Sequence, residues 1–252
     1  MGIFTRADSY FRLLYSKHFR PVKRARYVDF NQGIDARLIT DSNMQRLSEI
    51  NIRPLRIAFD HYEQRDIYTR AVRLAAKWGI SDLSNYLLYN FRDEPDELYK
   101  RIKLNVDLCE EFDVKIYSFP MKYHPVRDPE YFRNRDYIGE HWNRKFIRAV
   151  QAVMNSTKGK IGRGVAFFEA AFGENLDKFH EILYMPETFI IYREKYSALA
   201  EEWREKFCAL SESDMETART IIESNNFGKI GETAGLGQDL REVLNYYTIE
   251  RE

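Results

Sequence analysis

The sequence has few cysteines, no long apolar run and no excess of charge of either sign. Only two cysteines occur among the 252 residues, Cys109 and Cys208, and they lie far apart in the chain. Such a pair is more consistent with two reduced thiols than with a disulfide framework. No stretch approaches the roughly 20 apolar residues of a membrane-spanning helix, and the charged N-terminus lacks the apolar centre of a signal peptide. We therefore expect a cytoplasmic protein.

The charge balance limits the classes of partner. Lysine plus arginine and aspartate plus glutamate both number 39. A chain without net charge has no general attraction to nucleic acid or to an anionic membrane surface, so neither is indicated as a partner. The length is sufficient for one enlarged domain, or for a domain with an appendage, to bury a substantial core.

Short apolar runs alternate with amphipathic stretches from Ala25 to about Met121. This is the pattern of β-α units that feed a mostly parallel sheet, and it predicts an α/β fold with about four parallel strands. The predicted strands are Arg26 to Phe30 with a continuation toward Leu38, Leu55 to Phe59, Asn85 to Tyr89, and Val114 to Phe119.

Helices are predicted between the strands and after them. The stretch from Gln64 to Trp78 carries one apolar stripe and is followed by a glycine, which is a common helix stop. The next helix begins at Pro95, and its apolar stripe includes Cys109, so we interpret this cysteine as a small buried residue rather than a ligand. After Tyr123 no further strand is predicted, and Phe189 to Leu210 indicates one long charged helix.

Polar residues follow the predicted strands where their carboxyl ends converge, which is where α/β proteins collect functional groups. Amides, carboxylates and a guanidinium at such a place suit a polar, zwitterionic small molecule. Local structural roles are equally open for several of them. Asp35 and Arg37 could form an ion pair that caps a turn, Asp60 could cap the following helix, and Asn90 could be a turn residue. Gly33 directly after a strand favours close approach of the backbone to a ligand.

Two further segments have chemical potential. His124 at a strand end is a candidate for acid–base chemistry near neutral pH, and its alternative is a simple loop residue. The segment from Lys158 to Gly164 has the glycines and bases of a phosphate cradle but lacks the Gly-Lys-Ser/Thr ending, so a helix–helix turn is the competing interpretation. No histidine cluster has the spacing of metal ligands.

Four linked strings together resemble the third to sixth strands of the partial barrel of radical S-adenosylmethionine (SAM) enzymes. They are Val28-Asp29-Phe30-Asn31-Gln32-Gly33-Ile34-Asp35-Ala36-Arg37-Leu38, Pro54-Leu55-Arg56-Ile57-Ala58-Phe59-Asp60, Leu87-Leu88-Tyr89-Asn90-Phe91 and Phe119-Pro120-Met121. The resemblance extends from about Tyr27 to Tyr192. It implies an incomplete (β/α) barrel, residues 25–125, between an N-terminal helix, residues 1–24, and a helical C-terminal region, residues 126–252.

The resemblance also implies a cofactor. Members of the family bind SAM, and the matching positions here are Gln32, Gly33, Asp35, Arg37, Arg56, Asp60, Asn90 and Met121. Members of the family also hold a [4Fe–4S] cluster through a Cys-x3-Cys-x2-Cys loop, because three thiolates must reach one cluster. That loop is absent from this sequence, so we expect no cluster on this chain.

The missing loop leaves two functions open. The chain would be a fragment or split subunit that contributes the SAM-facing and substrate-facing half of the barrel, inactive unless a cluster-bearing N-terminal segment or subunit is supplied. The alternative is a non-catalytic ligand-binding or interaction module derived from the same fold. The substrate does not follow from the resemblance, because function depends on the site rather than on the fold.

Overall fold

The computed structural model describes residues 27–134, 136–159, 161, 164–224 and 235–249. The predicted N-terminal helix, residues 1–24, lies outside these ranges. The described residues fall into two compact units. Unit 1 comprises residues 27–88, 100–121 and the described residues of 161–165, and unit 2 comprises residues 89–99, 122–159 and the described residues from 166 onward.

A parallel sheet of three strands organises unit 1, which confirms the α/β class. The strands are β1 (Leu55–Arg56), β2 (Asp82–Tyr89) and β3 (Lys115–Lys122), in the order β1-β2-β3. In the parallel register of β1 and β2, Leu55 lies opposite Leu83 and Arg56 lies opposite Ser84. Alternate residues of β2 and β3 are buried, as the two-residue period of a strand requires.

The predicted first strand, from Arg26 to Phe30 and onward to Leu38, is wrong as a continuous strand. Its described part makes only two isolated parallel bridges, Val28 to Ile52 and Ile34 to Ile57. Between them Asn31 has a φ of 46°, in the left-handed region, and the chain turns tightly there. The described residues therefore contain three strands, and a partial barrel of four strands is not confirmed.

Three helices accompany the strands. They are α1 (Asp41–Ser48), α2 (Arg65–Lys77) and α3 (Pro95–Phe112), with 3-10 turns at Ala36–Leu38 and Tyr62–Gln64. The helices predicted from Gln64 and from Pro95 are thus confirmed. Thr40 begins α1 with a capping box, in which its hydroxyl accepts a hydrogen bond from the Asn43 backbone and the Asn43 side chain accepts one in return.

A layer of polar side chains is buried between the helices and the sheet of unit 1. Asn85 of β2 donates to the Tyr68 hydroxyl at 2.9 Å, and Asn105 of α3 donates to the Ser118 hydroxyl of β3 at 2.7 Å. Buried polar groups cost free energy unless they are paired, so these bonds fix how the helices lie on the strands. Cys109 is fully buried, as predicted, and its Sγ accepts a hydrogen bond from the Ile116 backbone.

Unit 2 is mainly helical. Its helices are α4 (Pro129–Asn134), α5 (Arg144–Ser156), α6 (Val165–Phe172), α7 (Leu176–Tyr184), α8 (Glu187–Ile191), α9 (Ser197–Cys208), α10 (Glu212–Ser224) and α11 (Gln238–Asn245), followed by a 3-10 turn at Tyr246–Thr248. Its core is rich in aromatic rings, among them Tyr99, Phe168, Phe172, Phe179, Phe189, Trp203 and Phe207. Across the described ranges, no helix is both long enough and apolar enough to cross a membrane.

The prediction of one long helix from Phe189 to Leu210 is wrong, because the chain leaves the helical conformation between α8 and α9. Tyr192 has φ −111° and ψ 51°. The next residue, Arg193, donates hydrogen bonds to the carbonyls of Ala170 and Ala171 at the end of α6. These carbonyls have no partner within their own helix, so the hydrogen bonds from Arg193 replace the missing ones. The turn at Tyr192 brings Arg193 to this position.

A lysine lies in the interior of unit 2. The side chain of Lys145 on α5 is fully buried, and its Nζ donates to the Met185 carbonyl at 2.7 Å, at the end of α7. The same Nζ is 3.2 Å from Glu187 Oε1 in the first turn of α8. Burial lowers the pKa of Lys145 to about 8, with Glu187 acting in the opposite direction. One cation therefore holds the α7–α8 corner in place.

Candidate functional site

One face of the unit 1 sheet carries exposed aromatic and sulfur-containing side chains. Tyr86 of β2 and Tyr117, Phe119 and Met121 of β3 are each between 39% and 48% exposed. Of the intervening residues of β3, Ser118 is buried and Pro120 is half-buried. We call this side of the sheet, with the side chains described next, the open face. Exposed large apolar groups gathered on one surface are typical of a binding site.

Arg56 occupies the middle of the open face and is held rigidly. Its Nη2 and Nε donate to the two carboxylate oxygens of Asp29 at 2.8 and 3.0 Å. Its Nη1 donates to the Ser84 hydroxyl at 3.2 Å, and the guanidinium lies 5.4 Å from the centre of the Tyr86 ring. The hydrogen bonds from Arg56 hold the pKa of Asp29 below its ordinary value. The face thus contains a preorganised cation beside an aromatic surface.

The aromatic part of the open face continues from β2 to β3. The rings of Tyr86 and Phe119 lie 5.9 Å apart and are tilted by 43°. Nearby on the same unit, Arg53 pairs with Asp82 at 3.0 Å and lies over the Tyr27 ring. Planar rings and a fixed guanidinium can together bind a flat, polar heterocycle by stacking and hydrogen bonding.

Gln32 and Gly33 lie near this sheet but are explained in part by the fold. Both are exposed. A Cβ on Gly33 would lie 3.2 Å from the Cβ of Ala58, because the bridge between Ile34 and the strand brings the two backbones together. The close approach that the glycine permits is therefore an approach to Ala58, and a ligand contact at this position stays a prediction.

Asp35 and Arg37 form the ion pair that was one of their two predicted roles. Arg37 Nη2 is 2.6 Å from Asp35 Oδ2, and the Asp35 side chain also accepts from the Arg37 backbone, at the start of the 3-10 turn. Hydrogen bonds from Arg37 keep the pKa of Asp35 below its ordinary value. Both side chains are accessible, so this pairing leaves their contact with a ligand as a prediction.

Asp60 does not cap a helix. The side chain is exposed, and the residue at the cap position of the following 3-10 turn is His61. The carbonyl of Asp60 accepts a hydrogen bond from Arg101 Nη1 at 2.9 Å, and Arg101 Nη2 donates to the Leu88 carbonyl at 2.8 Å. Arg101 is fully buried and therefore links the chain after β1 to the end of β2. This role was not predictable from the sequence, because arginines are rarely buried.

Asn90 belongs to unit 2, and its side chain has three protein partners. Its Nδ2 donates to the carbonyls of Tyr123 and Tyr137, and its Oδ1 accepts from the Gly139 backbone at 2.9 Å. It adopts a left-handed φ of 69°. The predicted turn role is therefore present, together with a clamp on distant segments. The side chain is completely buried, so it offers no exposed atom to a ligand.

Met121 and His124 complete the set. Met121 ends the exposed row on β3 and is 47% exposed. His124 is half-buried in the loop after β3. The proposed phosphate cradle includes Lys160, Gly162 and Arg163, which lie outside the described residues.

The cysteines do not fit the ligation of an iron–sulfur cluster. Cys109 is enclosed on α3 and already accepts a hydrogen bond, whereas Cys208 is exposed at the end of α9. Each unit contains one of them. Among the described residues, no group of three histidine, cysteine, aspartate or glutamate side chains is arranged to hold a metal ion.

Several residues of the open face were not identified from the sequence. Asp29, Tyr86 and Phe119 lie within predicted strands and had no predicted ligand role, and Ser84 lies just before the predicted strand from Asn85 to Tyr89. Their signal was the alternation of β2 and β3, in which every second residue points away from the helices.

Comparisons with known proteins identify no relative: no family model, no curated protein and no solved structure matches the chain.

Proposed function

We propose that unit 1 is the SAM-facing half of a radical SAM-like (β/α) barrel and that its open face binds the adenosyl part of SAM. The observation that carries the proposal is the fixed Arg56 beside the exposed Tyr86 and Phe119 rings. An adenine ring would stack on the aromatic surface, and Arg56 would donate hydrogen bonds to its nitrogens or to the ribose oxygens. Radical chemistry would require a cluster-bearing segment or subunit, since this chain supplies two separate thiols.

A non-catalytic ligand-binding module is the second candidate. It is favoured by the saturation of several predicted ligand positions: Asp35 is paired with Arg37, and the Asn90 side chain is enclosed by three backbone partners. A pocket that keeps stacking surface and loses its polar contacts would bind adenosine compounds weakly. Millimolar affinity corresponds to about −4 kcal/mol, which one stacked ring and a few hydrogen bonds can supply.

The test is a titration of the full chain with 5′-deoxyadenosine and with SAM while backbone amide shifts are recorded. We expect saturable shifts at Arg56, Tyr86 and Phe119, and weaker binding by Phe119→Ala. Phe167→Ala is the matched control, because Phe167 is a similarly exposed phenylalanine of unit 2. Asp60→Ala tests the carboxylate at the strand end.

Absence of shifts on the open face at several millimolar ligand would reject the proposal. Binding of SAM no tighter than binding of 5′-deoxyadenosine would favour the ligand-binding module, because the amino acid end would then make no contact. A marked gain in SAM affinity when a cluster-bearing polypeptide is added would favour the split enzyme.

A further inference from the structure

Unit 2 has a trough along the segment from Tyr123 to Arg133. Two cavities, of about 630 and 520 Å³, share four lining residues, Val126, Arg127, Asp128 and Pro129. The larger adds Arg133, and the smaller adds Tyr123 and Pro125. A volume in this range is typical of small-ligand sites, which are about 300–1,000 Å³.

The two arginines of the trough have no hydrogen-bond or ion-pair partner among the residues that the structure describes. In the described part of the chain, neither Arg127 nor Arg133 makes a hydrogen bond or an ion pair. Several other arginines are paired with carboxylates, as Arg56 is with Asp29 and Arg204 with Glu181. Two guanidinium groups that line one cavity without an acceptor provide ten N–H donors in two planar forks, the arrangement that best matches phosphate oxygens.

The third charged group narrows the ligand class. Asp128 lines both cavities, and one of its carboxylate oxygens accepts a hydrogen bond from the Glu130 backbone. Its other oxygen can accept a hydrogen bond from a ligand hydroxyl. A ligand that is purely anionic would be repelled by Asp128, whereas one that has a phosphate at one end and hydroxyl donors beside it would use all three side chains.

The wall of the trough offers an apolar and aromatic surface. Val126 is 66% exposed, and Tyr123 lies beside it. Tyr123 is held in place, since its amide donates to the Tyr89 carbonyl, its carbonyl accepts from Asn90, and its ring packs 4.5 Å from that of Phe91. A rigid ring beside an exposed valine suits a planar base, because every base has a flat face that can stack.

We propose that the trough is a binding site for a nucleoside phosphate, with the phosphate between Arg127 and Arg133, a ribose hydroxyl on Asp128 and the base against Tyr123 and Val126. The residues that line this site belong to unit 2, whereas the open face belongs to unit 1. The ligand proposed for the trough has a phosphate, which both arginines would bind, whereas the adenosyl group proposed for the open face has none. Two kinds of ligand contain a nucleoside phosphate: a free nucleotide, and a nucleotide within a single-stranded nucleic acid.

The full chain is titrated calorimetrically with AMP, UMP, inorganic phosphate, 5′-deoxyadenosine and a short single-stranded oligouridylate. We expect saturable binding of a nucleotide probe that weakens by about tenfold or more in Arg127→Ala and in Arg133→Ala. Arg241→Ala, which removes an exposed arginine of α11, is the matched control and is expected to leave the affinity unchanged. Both trough arginines are exposed, so the variants should melt like the parent chain.

Asp128→Asn separates hydroxyl recognition from simple charge. The asparagine keeps the bond to the Glu130 backbone and loses the negative charge, so AMP binding should weaken while inorganic phosphate binding stays equal or strengthens. Tighter AMP binding by this variant would overturn the ribose contact. The site would be overturned if both arginine variants bound AMP as tightly as the parent chain does. It would also be overturned if no nucleotide probe bound.

The comparison of AMP with oligouridylate distinguishes the two sources. If oligouridylate binds more tightly than AMP and the arginine variants lose this binding, the site binds nucleic acid. If only AMP and UMP bind, the site binds free nucleotides. Because 5′-deoxyadenosine lacks the phosphate, its shifts on the open face report the other proposal, and the two can fail separately.

Discussion

The two units differ in where one aromatic cluster of each lies. In unit 2 the cluster of Phe168, Phe172 and Phe179 is at most 2% exposed and packs ring against ring, although the single ring of Phe167 is exposed. Unit 1 leaves Tyr86 and Phe119 on the open face, at about two-fifths exposure. Burial of an aromatic side chain is a main source of folding free energy, so rings left in water are not retained for stability. This difference supports the proposal that the exposed rings bind a ligand, and the predictions below test it.

The largest contrast is expected between Phe179→Ala and Phe119→Ala. The first removes a ring enclosed by Tyr99 and Phe172 and should lower the free energy of unfolding by about 3–5 kcal/mol. The second removes an exposed ring and should change it by no more than about 0.5 kcal/mol. Denaturant titration of both variants gives the comparison. Equal losses would mean that the open face is covered in the folded chain.

Lys145 should give unit 2 a pH dependence. Burial lowers its pKa from 10.5 to about 8, so between these values the unfolded chain binds more protons than the folded one and stability rises with pH. The gain is about 3 kcal/mol over the full window, and it is visible up to about pH 10, where tyrosines begin to ionise. Lys145→Met should lack this rise in denaturant titrations between pH 8 and 10.

Lys178→Met is the control for that experiment. The hydrogen bond to Glu181 raises the pKa of Lys178, so it does not titrate in this window and its variant should keep the parent slope. A slope in Lys145→Met as steep as that of the parent would assign the pH dependence to another group.

A smaller effect is expected from Asp29→Asn on the open face. Its carboxylate is about two-fifths exposed, so loss of the pair with Arg56 should cost no more than about 1 kcal/mol. Since the pKa of Asp29 is lowered in the folded chain, its contribution is present above pH 3.8 and is lost as the pH falls through the lower folded value. Acid melting curves of Asp29→Asn and of the exposed control Asp66→Asn should show this difference.

No effect at all is expected from iron and sulfide. Each unit contains one cysteine, so neither can supply the thiolates that an iron–sulfur cluster needs. After anaerobic reconstitution, the iron and sulfide content of the purified chain should equal that of the Cys208→Ser variant. A stoichiometric cluster in the parent chain would contradict this prediction.

Helices and strands with a periodic apolar pattern were predictable from the sequence, and turns and contacts that depend on distant residues were not. The alternation in β2 and β3 and the apolar stripes of α2 and α3 are local, so they predicted these elements. The turn at Asn31 and the break at Tyr192 were missed, because a left-handed residue and the capping of α6 by Arg193 leave no periodic signal. Two roles are predicted for Asn90, a ligand contact and a turn residue, but its bond to Gly139, 49 residues away, depends on tertiary structure.

The reaction rates of the two native thiols can be used to measure local opening of the folded chain. Cys208 is exposed and should react with an alkylating reagent in the folded state. Cys109 is enclosed and should react only when the contact of α3 with β3 opens, at a rate set by the free energy of that opening. The ratio of the two labelling rates, followed with and without adenosine compounds, therefore measures whether a ligand on unit 1 stabilises it, without any introduced probe.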